Sequence, residues 1–227
     1  MSSSTVALVL ASASPARKAT LARAGVPAYA LVSGVDEDAT VAEAGQRFGE
    51  LAAEDVALVL ARAKCEAVAG RLDGEDAPSD APAEALVLGC DSVLELDGEV
   101  HGKPADAADA VARWKRMRGR AGVLHTGHWL IDLRDPDEGG TGATIGATAS
   151  TTVHFADLSD EEIDDYVATS EPLHVAGSFT VDGLGGAYVT RIEGDHHNVV
   201  GLSLPLLREL LGEVGLPWHA LREPTGS

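Results

Sequence analysis

The sequence predicts an α/β protein built on a mixed sheet. Three observations carry that prediction: apolar runs of strand length alternate with segments of helical period, a hairpin turn sits in the strand-rich middle, and no internal repeat is visible along the 227 residues. The chain reads as one domain over residues 1–227, with loop insertions near 73–84 and 134–147.

Val6 to Leu10 is a buried-strand run that leads into a helix from Pro15 to about Ala24. Ser14 suits the N-cap and Pro15 the first helical position; Gly25 suits the C-cap, and Pro27 prevents continuation. Tyr29 to Val35 is strand-like, and Asp36-Glu37-Asp38, taken alone, reads as a solvated acidic loop. Val56, Leu60, Ala63 and Ala67 mark a helix from about Glu54 to Ala69, stopping at Gly70, and the Asp, Pro and Ser between Asp73 and Ala83 mark a surface loop.

Ala85 to Leu88 is another apolar run, and Asp97-Gly98 between Val93–Leu96 and Glu99-Val100 signals a two-residue hairpin. A helix follows Pro104, with Ala110, Val111, Trp114 and Met117 on one face. Val123 to Leu133 and Ala147 to Phe155 pair as strands around a Gly/Thr/Asp-rich loop. Ser159-Asp-Glu-Glu162 is a capping box that opens a helix through Ile163, Tyr166 and Val167. A strand at Ala187 to Ile192 and a helix from Pro205 to Glu213 complete the series.

With 17 Lys+Arg against 36 Asp+Glu the net charge is −19, which repels nucleic-acid polymers and anionic membranes. A small anion in a locally basic cleft remains compatible with that charge. No run approaches the roughly twenty apolar residues of a membrane span, and Val6 to Leu10 is too short for a signal-peptide core. Only Cys65 and Cys90 occur, without a CxxC, so neither a disulfide framework nor a thiolate zinc site is expected, and a reducing cytoplasm fits.

Chemistry has three candidate locations. The turn Ser12-Ala-Ser14-Pro-Ala16-Arg17 places helix N–H groups and a guanidinium fork where an anion could bind, although a plain capped helix would look the same. Gly89-Cys-Asp91-Ser92 sets a carboxylate at the end of an apolar strand, and a hairpin could bring Lys103 back towards it. Glu37 lies in the acidic segment, and Lys64 borders an apolar helix stripe where a snorkelling lysine is ordinary, although the side chain could also point into a cleft. Arg113, Lys115, Arg116, Arg118 and Arg120 read as a solvated helix face, and Asp195-His-His197-Asn as a polar turn.

Taken in order, these segments resemble the Maf family of nucleoside triphosphate pyrophosphatases. The resemblance rests on Ser12-Ala-Ser-Pro-Ala-Arg17, Val35-Asp-Glu37, Ala61-Arg-Ala-Lys64, Gly89-Cys-Asp91-Ser92 and Gly102-Lys103-Pro104. It continues through Glu171 to Phe179, Gly183 to Gly186 and Asn198 to Leu202. It implies a Maf/ITPase-like fold, an elongated mixed sheet flanked by helices, with two lobes around a central cleft. It also implies cytoplasmic, divalent-metal-dependent (Mg²⁺ or Mn²⁺) hydrolysis of the α–β phosphate bond, in which a nucleoside triphosphate, standard or modified, gives a monophosphate and pyrophosphate. By that resemblance Asp91 would be the catalytic base, Glu37 and Asp91 would hold the metal, and Ser12, Ser14, Arg17, Lys64 and Lys103 would bind phosphate. A homodimer is the implied oligomer.

Departures from the family pattern fall at Ala16, Ser92 and Asp182, where the resemblance places base recognition. An ionised Asp182 only accepts hydrogen bonds and so favours a base edge rich in donors, which predicts a guanine-type or broad preference. Family members are also linked with septum formation, and the alternative reading is a non-catalytic nucleotide-binding regulator of cell division.

Overall fold

The computed structural model describes residues 5–75 and 77–222. Among them lie seven strands in one sheet and seven α-helices. The mixed-sheet α/β architecture is the one the sequence predicts.

Leu8–Leu10 (β1) enters the helix Pro15–Arg23 (α1), with Ser14 accepting the Arg17 backbone N–H as N-cap and Gly25 at φ +75° just past the end. The strand begins at Leu8 rather than Val6, and the next strand, Tyr29–Ala30 (β2), is only a fragment of the strand-like segment to Val35. The acidic segment is not a loop. Asp36 caps the helix Glu37–Phe48 (α2) by accepting from the Ala39 N–H, so Glu37 and Asp38 occupy the first turn, where the helix dipole favours carboxylates. The next helix, Ala53–Leu72 (α3), runs through Gly70, because one interior glycine costs only about 1 kcal/mol and Val68 and Ala69 are buried just before it.

Leu86–Leu96 (β3) is one continuous strand where the sequence suggests two separate runs. Asp91 and Ser92 therefore lie within the sheet, paired with Gly127 and Thr126, and not at a strand end. Asp97 and Gly98 both take positive φ in the turn to Glu99–His101 (β4), as a tight hairpin requires. Ala107–Met117 (α4), Ala121–Asp132 (β5) and Thr144–Phe155 (β6) follow. Then come Asp160–Ala168 (α5) behind its capping box, Val189–Glu193 (β7), His196–Val200 (α6) and Leu204–Glu213 (α7). The polar turn expected at Asp195 to Asn198 is instead the capped start of α6, with Asp195 accepting the His197 N–H.

The strand order is β2-β1-β3-β5-β6-β7, with β4 paired to β3. β2, β1 and β3 run parallel and the remaining pairs antiparallel. Side chains alternate across β1. Leu8 and Leu10 join Leu207, Leu210 and Leu211 of α7 on one face, while Val9 joins Cys65 and Val68 of α3 on the other. Trp114, Phe155 and Tyr166 stack edge to face in a third cluster beneath α4 and α5.

α3 sits unusually close to the sheet. A Cβ on Gly89 of β3 would lie 2.1 Å from the Ala61 carbonyl oxygen, and one on Gly127 of β5 would lie 2.3 Å from that of Ala57. Two glycines facing one helix thus allow its backbone to rest on the strands. The adjacent cysteines are free and buried, and burial pushes the Cys90 thiol up to about 12.

The far side of β5 carries His128, fully buried, whose Nδ1 lies 3.0 Å from the Thr126 carbonyl and whose Nε2 accepts the Ser203 N–H at 2.8 Å. These partners require the neutral ring protonated at Nδ1, and burial lowers the His128 pKa from its ordinary 6.5 to about 4. The unfolded chain takes up this proton first, so stability present above the unfolded value is lost as pH falls towards the folded one. Denaturant titrations should show about 2 kcal/mol less stability from this residue at pH 5 than at pH 7, and His128→Gln should flatten that slope. An unchanged slope in the variant would refute the assignment.

Candidate active site

Ser12, Ser14, Ala16, Arg17, Glu37, Lys64, Asp91, Ser92, Lys103 and Asp182 all line one open cavity of about 1350 Å³. Its walls come from the β1–α1 turn, the start of α2, the middle of α3, the middle of β3, the β4–α4 connection and the segment after α5.

At its floor the Lys64 ammonium donates to Glu37 Oε1 at 2.7 Å and to Asp91 Oδ1 in a short contact. Lys64 and Asp91 are buried, Glu37 is half-exposed, and Lys103 approaches Glu37 Oε1 at 3.7 Å from an exposed position. Of the two placements the sequence leaves open for Lys64, a snorkelling stem or a side chain pointing into a cleft, the structure shows the second, with two carboxylates meeting the ammonium there. Burial alone would raise the Glu37 pKa, but the Lys64 hydrogen bond and the charges of Lys64, Lys103 and Arg17 hold it below the ordinary carboxylate value.

Arg17 also lines the cavity, buried and largely consumed by the protein itself. Its Nε donates to the Gly201 carbonyl at 2.7 Å, one terminal nitrogen donates to Ser12 Oγ at 3.1 Å and the Cys90 carbonyl at 2.8 Å, and the other donates to Ser92 Oγ at 3.0 Å. Four of five N–H groups are thus engaged, so the free fork expected from sequence is reduced to one donor. Ser12 Oγ also accepts the Ser14 N–H at 3.2 Å, which fixes the turn at the start of α1.

The Ser92 hydroxyl has a defined direction. Arg17 can only donate to it, and Thr126 Oγ1 donates to the Asn198 carbonyl at 3.1 Å, so the Ser92 hydrogen goes to Thr126 at 2.9 Å. Ser92 faces the cavity as an acceptor. Asn198 is itself buried, its amide donating to the Leu124 and Ala149 carbonyls and to Thr151 Oγ1. Thr126, Gly127 and the Gly201 carbonyl escape sequence reasoning; their one local signal is a polar or glycine residue inside an apolar strand or turn.

Glu37 and Asp91 are hard oxygen donors converging on the same ammonium, and that donor set fits a divalent cation such as Mg²⁺ or Mn²⁺. The basic residues expected on a solvated face are ion-paired: Arg113 with Asp109, Lys115 and Arg118 with Asp160, Arg116 with Glu99 and Arg120 with Asp97. Among the described residues, no helix is long and apolar enough to cross a membrane.

The sheet, parallel from β2 to β3 and antiparallel beyond, makes this a mixed-sheet α/β protein, and carboxylates and cations gather at one of its cavities. The Maf-like protein family model matches residues 7–214, and the chain belongs to that family. A Salinispora tropica protein is 56% identical over 213 residues, covering 92% of this chain and 84% of that one. One from Leifsonia xyli subsp. xyli is 48% identical over 219 residues, covering 96% and 98%. One from Streptomyces coelicolor is 50% identical over 208 residues, covering 92% and 90%. All three bear the name nucleoside triphosphate pyrophosphatase.

Lys64→Met keeps length but removes the charge between two carboxylates. Melting curves should show a loss of about 3 kcal/mol, and Mn²⁺ should restore more stability to the variant than it adds to the parent protein. Equal responses to Mn²⁺ would show that the ammonium does not hold the pair together.

Proposed function

We propose that the protein is a nucleoside triphosphate pyrophosphatase that cleaves between the α and β phosphates, releasing a nucleoside monophosphate and pyrophosphate. The observation that carries this reading is the Lys64 ammonium shared by Glu37 and Asp91 on the floor of a nucleotide-sized cavity. The names of the relatives support the same reaction.

In this reading Asp91 accepts a proton from the attacking water, its carboxylate held in place through Oδ1 by Lys64. A divalent cation on Glu37 and Asp91 would supply charge neutralisation for the phosphate oxygens. Lys103, exposed at the rim, binds the outer phosphates, and Lys64 adds fixed positive charge as negative charge grows on the oxygens. Ser12 and Ser14 shape the start of α1, where Pro15 has no N–H and Ser14 accepts that of Arg17, so the Ala16 N–H and the remaining Arg17 donor meet phosphate oxygens.

The base end supports a guanine-type preference. Asp182 and Ser92 both reach the cavity as hydrogen-bond acceptors, and Ala16 contributes only a methyl. Such a surface suits the N1–H and N2–H₂ donors of guanine and leaves the carbonyls of uracil and thymine facing acceptors. The reading extends to modified guanine nucleotides that keep those donors.

Asp91→Asn should lose at least 10³-fold in turnover, about 4 kcal/mol of barrier, while nucleotide binding by calorimetry persists. A variant that still turned over normally would remove Asp91 from the chemistry. With the parent protein, pyrophosphate release should be at least tenfold faster from GTP than from UTP; the reverse order, or release of orthophosphate, would overturn the substrate or the reaction respectively.

A further inference from the structure

Asp182 also lines a second, smaller cavity of about 370 Å³, together with Thr20, Arg23, His196 and His197. At its edge Asp195, His196 and His197 each offer a ligand atom, all within 4.8 Å of one another. We propose that these three side chains bind one transition-metal dication of the zinc, cobalt or nickel class, at a site separate from Glu37 and Asp91.

Three features support the assignment. Asp195 Oδ1 is occupied by the His197 N–H at 3.0 Å and by His197 Nδ1 at 3.1 Å, while Oδ2 is buried with no hydrogen-bond partner. A buried carboxylate oxygen without a donor is uncommon, and a cation is a natural complement for it. The two imidazoles stand 3.8 Å apart between centroids with their planes tilted by 40°, so both can turn a nitrogen towards the same point. His197 Nδ1 already faces the Asp195 carboxylate at 3.1 Å, so a cation entering between them meets an imidazole nitrogen and a carboxylate oxygen together.

The scaffold beneath is rigid. The Asp195 carbonyl accepts Thr151 Oγ1 at 3.0 Å, and buried Asn198 fastens the same turn to β5 and β6. Metal–nitrogen and metal–oxygen bonds of about 2.1 Å in a tetrahedron place ligands about 3.4 Å apart, so modest side-chain rotation, easy for exposed His196, closes the set. Asp182 and Asp195 against Arg23 leave this corner with a charge of −1 before an ion enters, which favours a cation. Two imidazoles and one carboxylate select borderline metals over Mg²⁺, which prefers oxygen. The assignment does not depend on the proposed reaction.

The test is a Co²⁺ titration of the full chain in saturating Mg²⁺, read by visible absorption and by calorimetry. One equivalent with d–d bands is expected, weakened at least tenfold by His196→Asn and by His197→Asn separately, with melting temperatures in chelator matching the parent. Asp91→Asn should retain the band. Absence of the band in the parent, indifference to both histidine variants, or loss in Asp91→Asn would overturn the proposal, the last by assigning the ion to the Glu37–Asp91 pair.

Discussion

The site depends on how closely α3 approaches the sheet. Gly89 and Gly127 lie on neighbouring strands beneath the same helix, and any side chain at either would collide with a helix carbonyl. That seat brings Lys64, on the underside of α3, within reach of Asp91, two residues along β3 from Gly89. A bulkier residue at either position would lift the helix and separate an ammonium from its carboxylate in a buried setting, where unpaired charge is costly. Backbone packing and site electrostatics are therefore one constraint.

Charge is distributed unevenly around that constraint. The chain carries −19 overall, yet three cations, Arg17, Lys64 and Lys103, reach a single cavity. The arginines and lysine of α4 and the turn after it are neutralised by nearby acids on the surface. A polyanion meets a repulsive exterior, and inside the cavity the three cations stand beside six carboxylates, Asp36, Glu37, Asp38, Glu50, Asp91 and Asp182, so positive charge is local to particular walls and not general to the cavity.

Much of the fold was legible because local signals agreed with tertiary context. Ser14-Pro15, the Asp97-Gly98 turn and the Ser159–Glu162 capping box each satisfy backbone groups locally, so sequence alone suffices. Composition misled at Glu37 and Asp38, where an acidic run hid a local cap, and at Asp91-Ser92, where the deciding partner is distant in sequence. Glu37 and Asp38 look like a solvated loop until Asp36 is seen to cap α2, and Asp91-Ser92 looks like a strand end until β5 pairs across it. The motif residues were readable as a set, but that Arg17 spends its donors inside the protein was not, because its acceptors include backbone carbonyls that leave no mark in a sequence.

Arg17 ties together three stretches of chain, the β1–α1 turn, the middle of β3 and the turn between α6 and α7. Its acceptors lie around a planar group at fixed directions, and a lysine, with one nitrogen and three hydrogens, cannot reach all four. Charge conservation at position 17 is consequently not enough. The guanidinium acts as a keystone whose shape is demanded by architecture before any ligand arrives.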